Sequence, residues 1–156
     1  MSFTSHDGTR GARQPNGPLI RWFNGRLMGT LRRRGGTFLG IQTIVVGTIG
    51  SKSGEARFVP LAAFPADGEG WVVVASANGA PRNPAWYRNI VAHPDRVIVQ
   101  LGGKTTPVEP EELHGAQRAA AWERVIRIQP RFRQYERSTD RELPVIRLTP
   151  KVQPER

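Results

Sequence analysis

Apolar positions change their period along the chain, and the changes mark out its elements. Residues 1–17 are rich in Gly, Pro, Ser, Thr, Arg and Asn without an apolar repeat and read as a flexible leader. From residue 18 to 34, Ile20, Phe23, Leu27 and Leu31 recur at helical spacing beside Leu19 and Met28, and Pro18 suits a first helical turn. Arg21, Arg26, Arg32, Arg33 and Arg34 fill the other positions, with no acidic residue in the segment. The spacing predicts a basic amphipathic helix, stopped at Gly35-Gly36.

The period then shortens to that of strands. Residues 43–48 and 58–64 are β-rich runs on either side of residues 50–55, and Asp67-Gly68-Glu69-Gly70 is a turn leading into residues 71–75. These three runs are expected to form a meander. Residues 83–92 read as a short helix ended at His93-Pro94, because a residue before proline disfavours the helical region. A strand over 96–101 and its hairpin partner over 104–109 flank Gly102-Gly103. Residues 111–128 read as a helix, with Leu113, Ala116, Ala120 and Ile128 near one face beside Val125 and Ile126, and Pro130 sets its end. Residues 145–148 make a last short strand and 151–156 a frayed tail. Short strands, turn signals and a few helices predict a mainly β fold with α additions (α+β), a small barrel or compact sheet. No βαβ alternation is present, which disfavours a doubly wound nucleotide fold.

At 156 residues, 38% hydrophobic and 23% charged, the chain is expected to fold as one domain over residues 18–150. It has no cysteine, so disulfides, thiolate zinc sites, iron–sulfur clusters and cysteine nucleophiles are excluded. No apolar run approaches the roughly 18 residues of a membrane span, and the leader lacks the apolar core of a signal peptide, so a cytoplasmic protein is expected. The net charge of +10 calls for an anionic partner: nucleic acid, an anionic membrane surface, or a polyanionic cofactor. All but three of the 23 cations (Lys52, Lys104 and Lys151) are arginine, which reflects a GC-rich genome as readily as a function. Nucleic acid ranks last, since aromatic residues make up only 8% and no recognition motif is present.

Two segments carry candidate chemistry. Gly50-Ser51-Lys52-Ser53-Gly54 with Arg57 lies between strands, where small residues, hydroxyls and two cations suit an anion. The same residues also suit an ordinary solvated hairpin turn. They do not form a P-loop, since the lysine spacing is wrong and a strand follows. In residues 75–89 a strand end crosses a Gly/Pro-rich loop to a helix start, with Asn83 placed to cap it and Pro84 at its first position. Orphan amides, the helix dipole, Arg82 and Arg88 favour bound negative charge there. Trp86 and Tyr87 offer a face to a flat ring or, equally, to the core. His6, His93 and His114 are expected to face solvent or cap helices. No Ser-His-Asp, paired-carboxylate or metal-ligand arrangement is evident, so no metal is expected.

Residues 50–57 followed by Pro60-Leu61, residues 75–89, and Thr139-Asp140-Arg141-Glu142-Leu143-Pro144 together resemble the deazaflavin (coenzyme F-420)-dependent nitroreductase and quinone reductase family of actinobacteria. The likeness runs from about residue 18 to about residue 150. It implies a split β-barrel and an oxidoreductase that passes a hydride from reduced coenzyme F-420 to quinones or other activated, electron-poor acceptors. It places the phosphate and oligoglutamate tail against Lys52, Ser53, Gly54 and Arg57, with Pro60 close by. The ring then lies along Ser76, Ala77, Asn78, Gly79 and Ala80, extending to Asn83, Trp86 and Tyr87. The hydride chemistry belongs to the cofactor, so no dedicated acid or base is required. Ser76 is the candidate hydrogen-bond donor to the reacting centre and Tyr135 a second donor. Ala62, Gln129 and Phe132 stand where relatives that reduce nitro compounds carry pocket tyrosines, which implies a more open acceptor pocket and favours a quinone. The basic helix over residues 18–34 suits peripheral contact with an anionic membrane. The rival readings are a non-catalytic deazaflavin binder and an FMN-binding split-barrel reductase.

Overall fold

The computed structural model describes residues 3, 7, 8, 36–38, 41–76 and 82–152. The strands are β1 (Gly36–Phe38), β2 (Ile41–Ile49), β3 (Ala56–Ala62), β4 (Phe64–Pro65), β5 (Trp71–Val74), β6 (Val97–Leu101), β7 (Lys104–Glu112) and β8 (Val145–Pro150). The helices are α1 (Ala85–Ala92), α2 (Gly115–Ile128) and α3 (Arg131–Ser138), with one 3-10 turn at Pro94–Arg96. The basic helix expected over residues 18–34 lies outside the described residues. Among the described residues, no helix is long and apolar enough to cross a membrane.

The strands pair antiparallel in the order β1-β2-β6-β7-β8-β5-β4, with β3 also on β2, and the sheet curls into a half-barrel. Glycine earns its place at the β6–β7 hairpin: Leu101 pairs with Lys104, and Gly102 and Gly103 between them take φ of 56° and 79°. That left-handed pair is what a two-residue hairpin turn requires.

Three sequence expectations are corrected. Residues 71–75 do not continue a meander from β3, because β5 pairs with β4 and β8 instead. The chain breaks after β3 into the short β4, and the Asp67–Gly70 turn then carries β5 away to a partner whose apolar face it can cover. Glu111 and Glu112 belong to β7, not to the following helix, which starts at Gly115. Tertiary partners outweigh helix propensity there: Arg147 Nη2 of β8 lies 2.6 Å from Glu111 Oε2, and the Tyr87 hydroxyl donates to the buried Glu112. Finally, Pro130 starts a helix as well as ending one. Arg131–Ser138 has only Phe132 buried and is otherwise polar, so its periodic signal is faint.

Both faces of the sheet are covered, which explains why β5 reads as an uninterrupted apolar run. Val73, Ile146 and Leu148 pack with Ile44, Val46, Val97, Val99 and the α1 residues Trp86, Tyr87 and Ile90. Val72, Val74 and Val145 point the opposite way, as strand geometry demands, and pack with Phe64, Leu143, the α2 residues Trp122 and Val125, and Phe132 of α3. Phe3, near the N-terminus, also rests on the first cluster.

Candidate functional site

The β2–β3 turn is built by its own backbone. Gly50 N–H donates to Glu55 C=O at 2.8 Å, and Gly54, at φ 71°, donates its N–H to Gly50 C=O at 3.0 Å. Ser51, Lys52 and Ser53 are thereby held out as an exposed knuckle. Asn89, buried on α1, ties this knuckle to the helix: its Oδ1 accepts from Ser51 N–H at 2.9 Å, and its Nδ2 donates to Thr48 Oγ1 at 3.1 Å.

Between the knuckle and the start of α1 lies an open cavity of about 800 Å³. Its wall carries four cations, Lys52, Arg57, Arg82 and Arg88, and one carboxylate, Asp7, while Phe58, Val59 and Trp86 give it an apolar part. Among the described residues, no hydrogen bond or ion pair occupies Lys52 or Arg82. Arg57 pairs with Glu55 at 3.0 Å, but both side chains are exposed and the pair is weak. Arg88 Nη1 donates to Asn83 C=O at 2.8 Å. The first turn of α1 has no acidic residue and no side-chain cap, so its N–H groups add to the positive field. The expected Asn83 cap is not made: Pro84 takes the N-cap position, and Asn83 Oδ1 accepts from Arg141 Nη1 at 2.7 Å. The cavity thus combines an anion-binding wall with a surface for a flat ring.

The other expected site residues distribute as follows. Lys52, Ser53, Arg57 and Trp86 line the cavity, Gly54 shapes its turn, and Pro60 is half-buried further along β3. Ser76 is half-buried just past β5, where its C=O accepts from Arg141 Nη2 at 2.6 Å. Asn83 is buried, and its N–H donates to Asp7 Oδ1 at 2.7 Å. Tyr87 lies in the core at 3% exposure, with its hydroxyl donating to Glu112 Oε1 at 2.7 Å and Phe3 edge-on to its ring. Ala77, Asn78, Gly79 and Ala80 lie outside the described residues. On the opposite side of the sheet, Ala62 and Tyr135 pack against the cluster that contains Phe132, whose ring stands edge-on to Phe64 and Tyr135 at centroid distances of 5.5 and 5.2 Å. Gln129 ends α2 there. His93 ends α1, and His114 precedes α2 with Nε2 3.2 Å from Glu112 Oε2. Among the described residues no His, Asp and Glu side chains gather in a group of three that could hold a metal ion.

Sequence reasoning missed Asp7, Phe58, Asn89 and Arg141. Asn89 left a signal, since asparagine inside a helix is unfavourable unless its amide has partners. Arg141 left none beyond its place in the Thr139–Pro144 motif. Burial pulls its guanidinium pKa below the ordinary value, and the nearby Asp7 carboxylate pulls it back up.

The family model described as F420H(2)-dependent quinone reductase matches residues 19–150. An F420H(2)-dependent quinone reductase of Mycobacterium tuberculosis strain H37Rv is 33% identical over 135 residues, 84% of this chain and 89% of that relative. A solved F420-H2 dependent reductase is 36% identical, with a TM-score of 0.60 over 68% of this chain and 92% of the other. A second solved chain, described as a domain-swapped dimer, is 32% identical, with a TM-score of 0.61 over 83% and 98% of the two chains. With the match spanning the half-barrel from before β1 to the end of β8, the chain belongs to the F420H(2)-dependent quinone reductase family and is an oxidoreductase of split-barrel type.

Proposed function

We propose that this reductase binds reduced coenzyme F-420 in the cavity between the β2–β3 turn and α1, and that a hydride passes from it to a quinone-type acceptor. The observation that carries the reading is the cavity wall: four cations, two of them without protein partners among the described residues, next to the apolar surface of Phe58, Val59 and Trp86. A flat ring joined to a phosphate and several carboxylates needs both kinds of surface, and this donor set fits it.

When bound, the reduced deazaflavin supplies the hydride, and the protein supplies orientation and electrostatics. Lys52, Arg57, Arg82 and Arg88 neutralise the anionic tail, with the open turn of α1 adding backbone N–H groups. Trp86, Phe58 and Val59 would give the ring an apolar surface to rest on. The Ser76 hydroxyl donates a hydrogen bond where negative charge develops on the acceptor oxygen. Ala62, Phe132 and Tyr135, expected from the sequence to shape the acceptor pocket, pack on the other face of the sheet from this cavity and have no part in it.

Titration with coenzyme F-420 and with FMN at physiological salt, followed by fluorescence, tests the cofactor. Menadione is then added to the complex with the reduced cofactor. Selective binding of F-420 and its reoxidation by the quinone are expected. Preference for FMN would overturn the cofactor assignment, and tight F-420 binding without turnover would leave a carrier protein.

A further inference from the structure

Arg141 is a charged residue at 5% exposure, and nothing in the reaction as described uses it. Its guanidinium spans two segments that form the stem of one loop. Nη1 donates to Ala75 C=O at 2.9 Å and to Asn83 Oδ1 at 2.7 Å, and Nη2 donates to Ser76 C=O at 2.6 Å. Ala75 and Ser76 follow β5, while Asn83 lies between Arg82 and Pro84, both on the cavity wall. The rest of the Thr139–Pro144 motif braces the same place: Ala75 N–H donates to Pro144 C=O at 2.9 Å, and Arg141 N–H donates to Thr139 Oγ1 at 3.3 Å. Asp7, on the cavity wall, takes the Asn83 N–H and adds an attractive charge for Arg141.

A buried charge is expensive unless it is paired and hydrogen-bonded, and here the acceptors are the loop stem itself. Only a planar fork with several fixed donors reaches three acceptors on two segments at once; an ammonium is a point charge and does not. We propose that Arg141 is a positioning residue for the cofactor cavity: it clamps the end of β5 to the entry of α1 and so fixes where Arg82, Arg88 and Trp86 stand on the wall. This rests on the cavity being the coenzyme F-420 site.

The test is direct binding of oxidised coenzyme F-420, by fluorescence, to wild type, Arg141→Lys, Asn83→Ala and the double variant, each with a thermal melt. Arg141→Lys keeps the charge and loses the fork, so its dissociation constant rises about tenfold, the order of what one charge-assisted hydrogen bond contributes. The double variant loses less than the sum of the two single changes, because both break one clamp. A purely structural role would lower the melting temperature and leave the affinity of the folded protein unchanged. Wild-type affinity in folded Arg141→Lys overturns the proposal. If that variant does not fold, wild-type affinity in Asn83→Ala does so instead. Wild-type protein that does not bind F-420 overturns the cavity assignment, and this inference with it.

Discussion

At the scale of single residues, the cavity separates groups that hold charge from groups that hold shape. Lys52 and Arg82 are exposed and engage no other described side chain, so removing either leaves the fold intact and takes one positive charge from the cavity wall. Lys52→Ala and Arg82→Ala should each weaken F-420 binding about tenfold or more, with unchanged melting temperature. The same titration repeated at two salt concentrations should show a shallower salt dependence in the variants. Ser76 is different, because its backbone is held and its hydroxyl is the group assigned to chemistry. Ser76→Ala should lower turnover at least about tenfold and leave the F-420 dissociation constant near wild type, a split readable from steady-state kinetics beside direct binding. Neighbouring residues also differ in what they reach: Trp86 and Tyr87 both pack in one core cluster, but Trp86 also borders the cavity, while the Tyr87 hydroxyl meets Glu112. Both were equal candidates for a ring-binding face in the sequence, because helix spacing alone does not say which side of α1 meets the sheet.

Elements position these residues through a few cross-braces. Asn89 makes α1 and the β2–β3 turn one unit, so the knuckle carrying Lys52 is oriented by a helix far away in sequence. Helix α3 shows how a weakly patterned element is held: Phe132 enters the cluster of Phe64, Trp122 and Leu143, and little else of the helix is buried. Phe132→Ala should therefore destabilise the protein by about 3–5 kcal/mol, measured by denaturant unfolding, with loss of packing around Tyr135. The helix was invisible in the sequence for the same reason, since one buried aromatic in eight residues makes no period. The Gly102-Gly103 hairpin and the presence of α2 were visible because turn chemistry and helix-forming residues are local properties, but the buried face of α2 was not: Ala116, Ala120 and Ile128 of the expected stripe are exposed, and the helix packs through Ala121, Trp122 and Val125 instead.

Across the whole molecule, the last strand closes what the first strands begin. β8 lies between β5 and β7 and places Val145, Ile146 and Leu148, all fully buried, into both halves of the core. A chain truncated before Val145 should fail to fold rather than lose an edge, and should lack a cooperative thermal transition by circular dichroism. The excess of arginine, the anion-suited turn, the strand-rich pattern and the β2–β3 and β6–β7 hairpins were all legible in the sequence, because composition, period and turn residues act over a few positions. Only the tertiary structure decided that Trp71 pairs with Leu148, that Asp7 reaches an amide 76 positions away, and that Arg141 bonds Asn83 58 positions before it. Such contacts follow from which apolar faces can be covered together and from where a buried polar group finds its partners. Those conditions are satisfied by the whole fold at once, and no local stretch of sequence contains them.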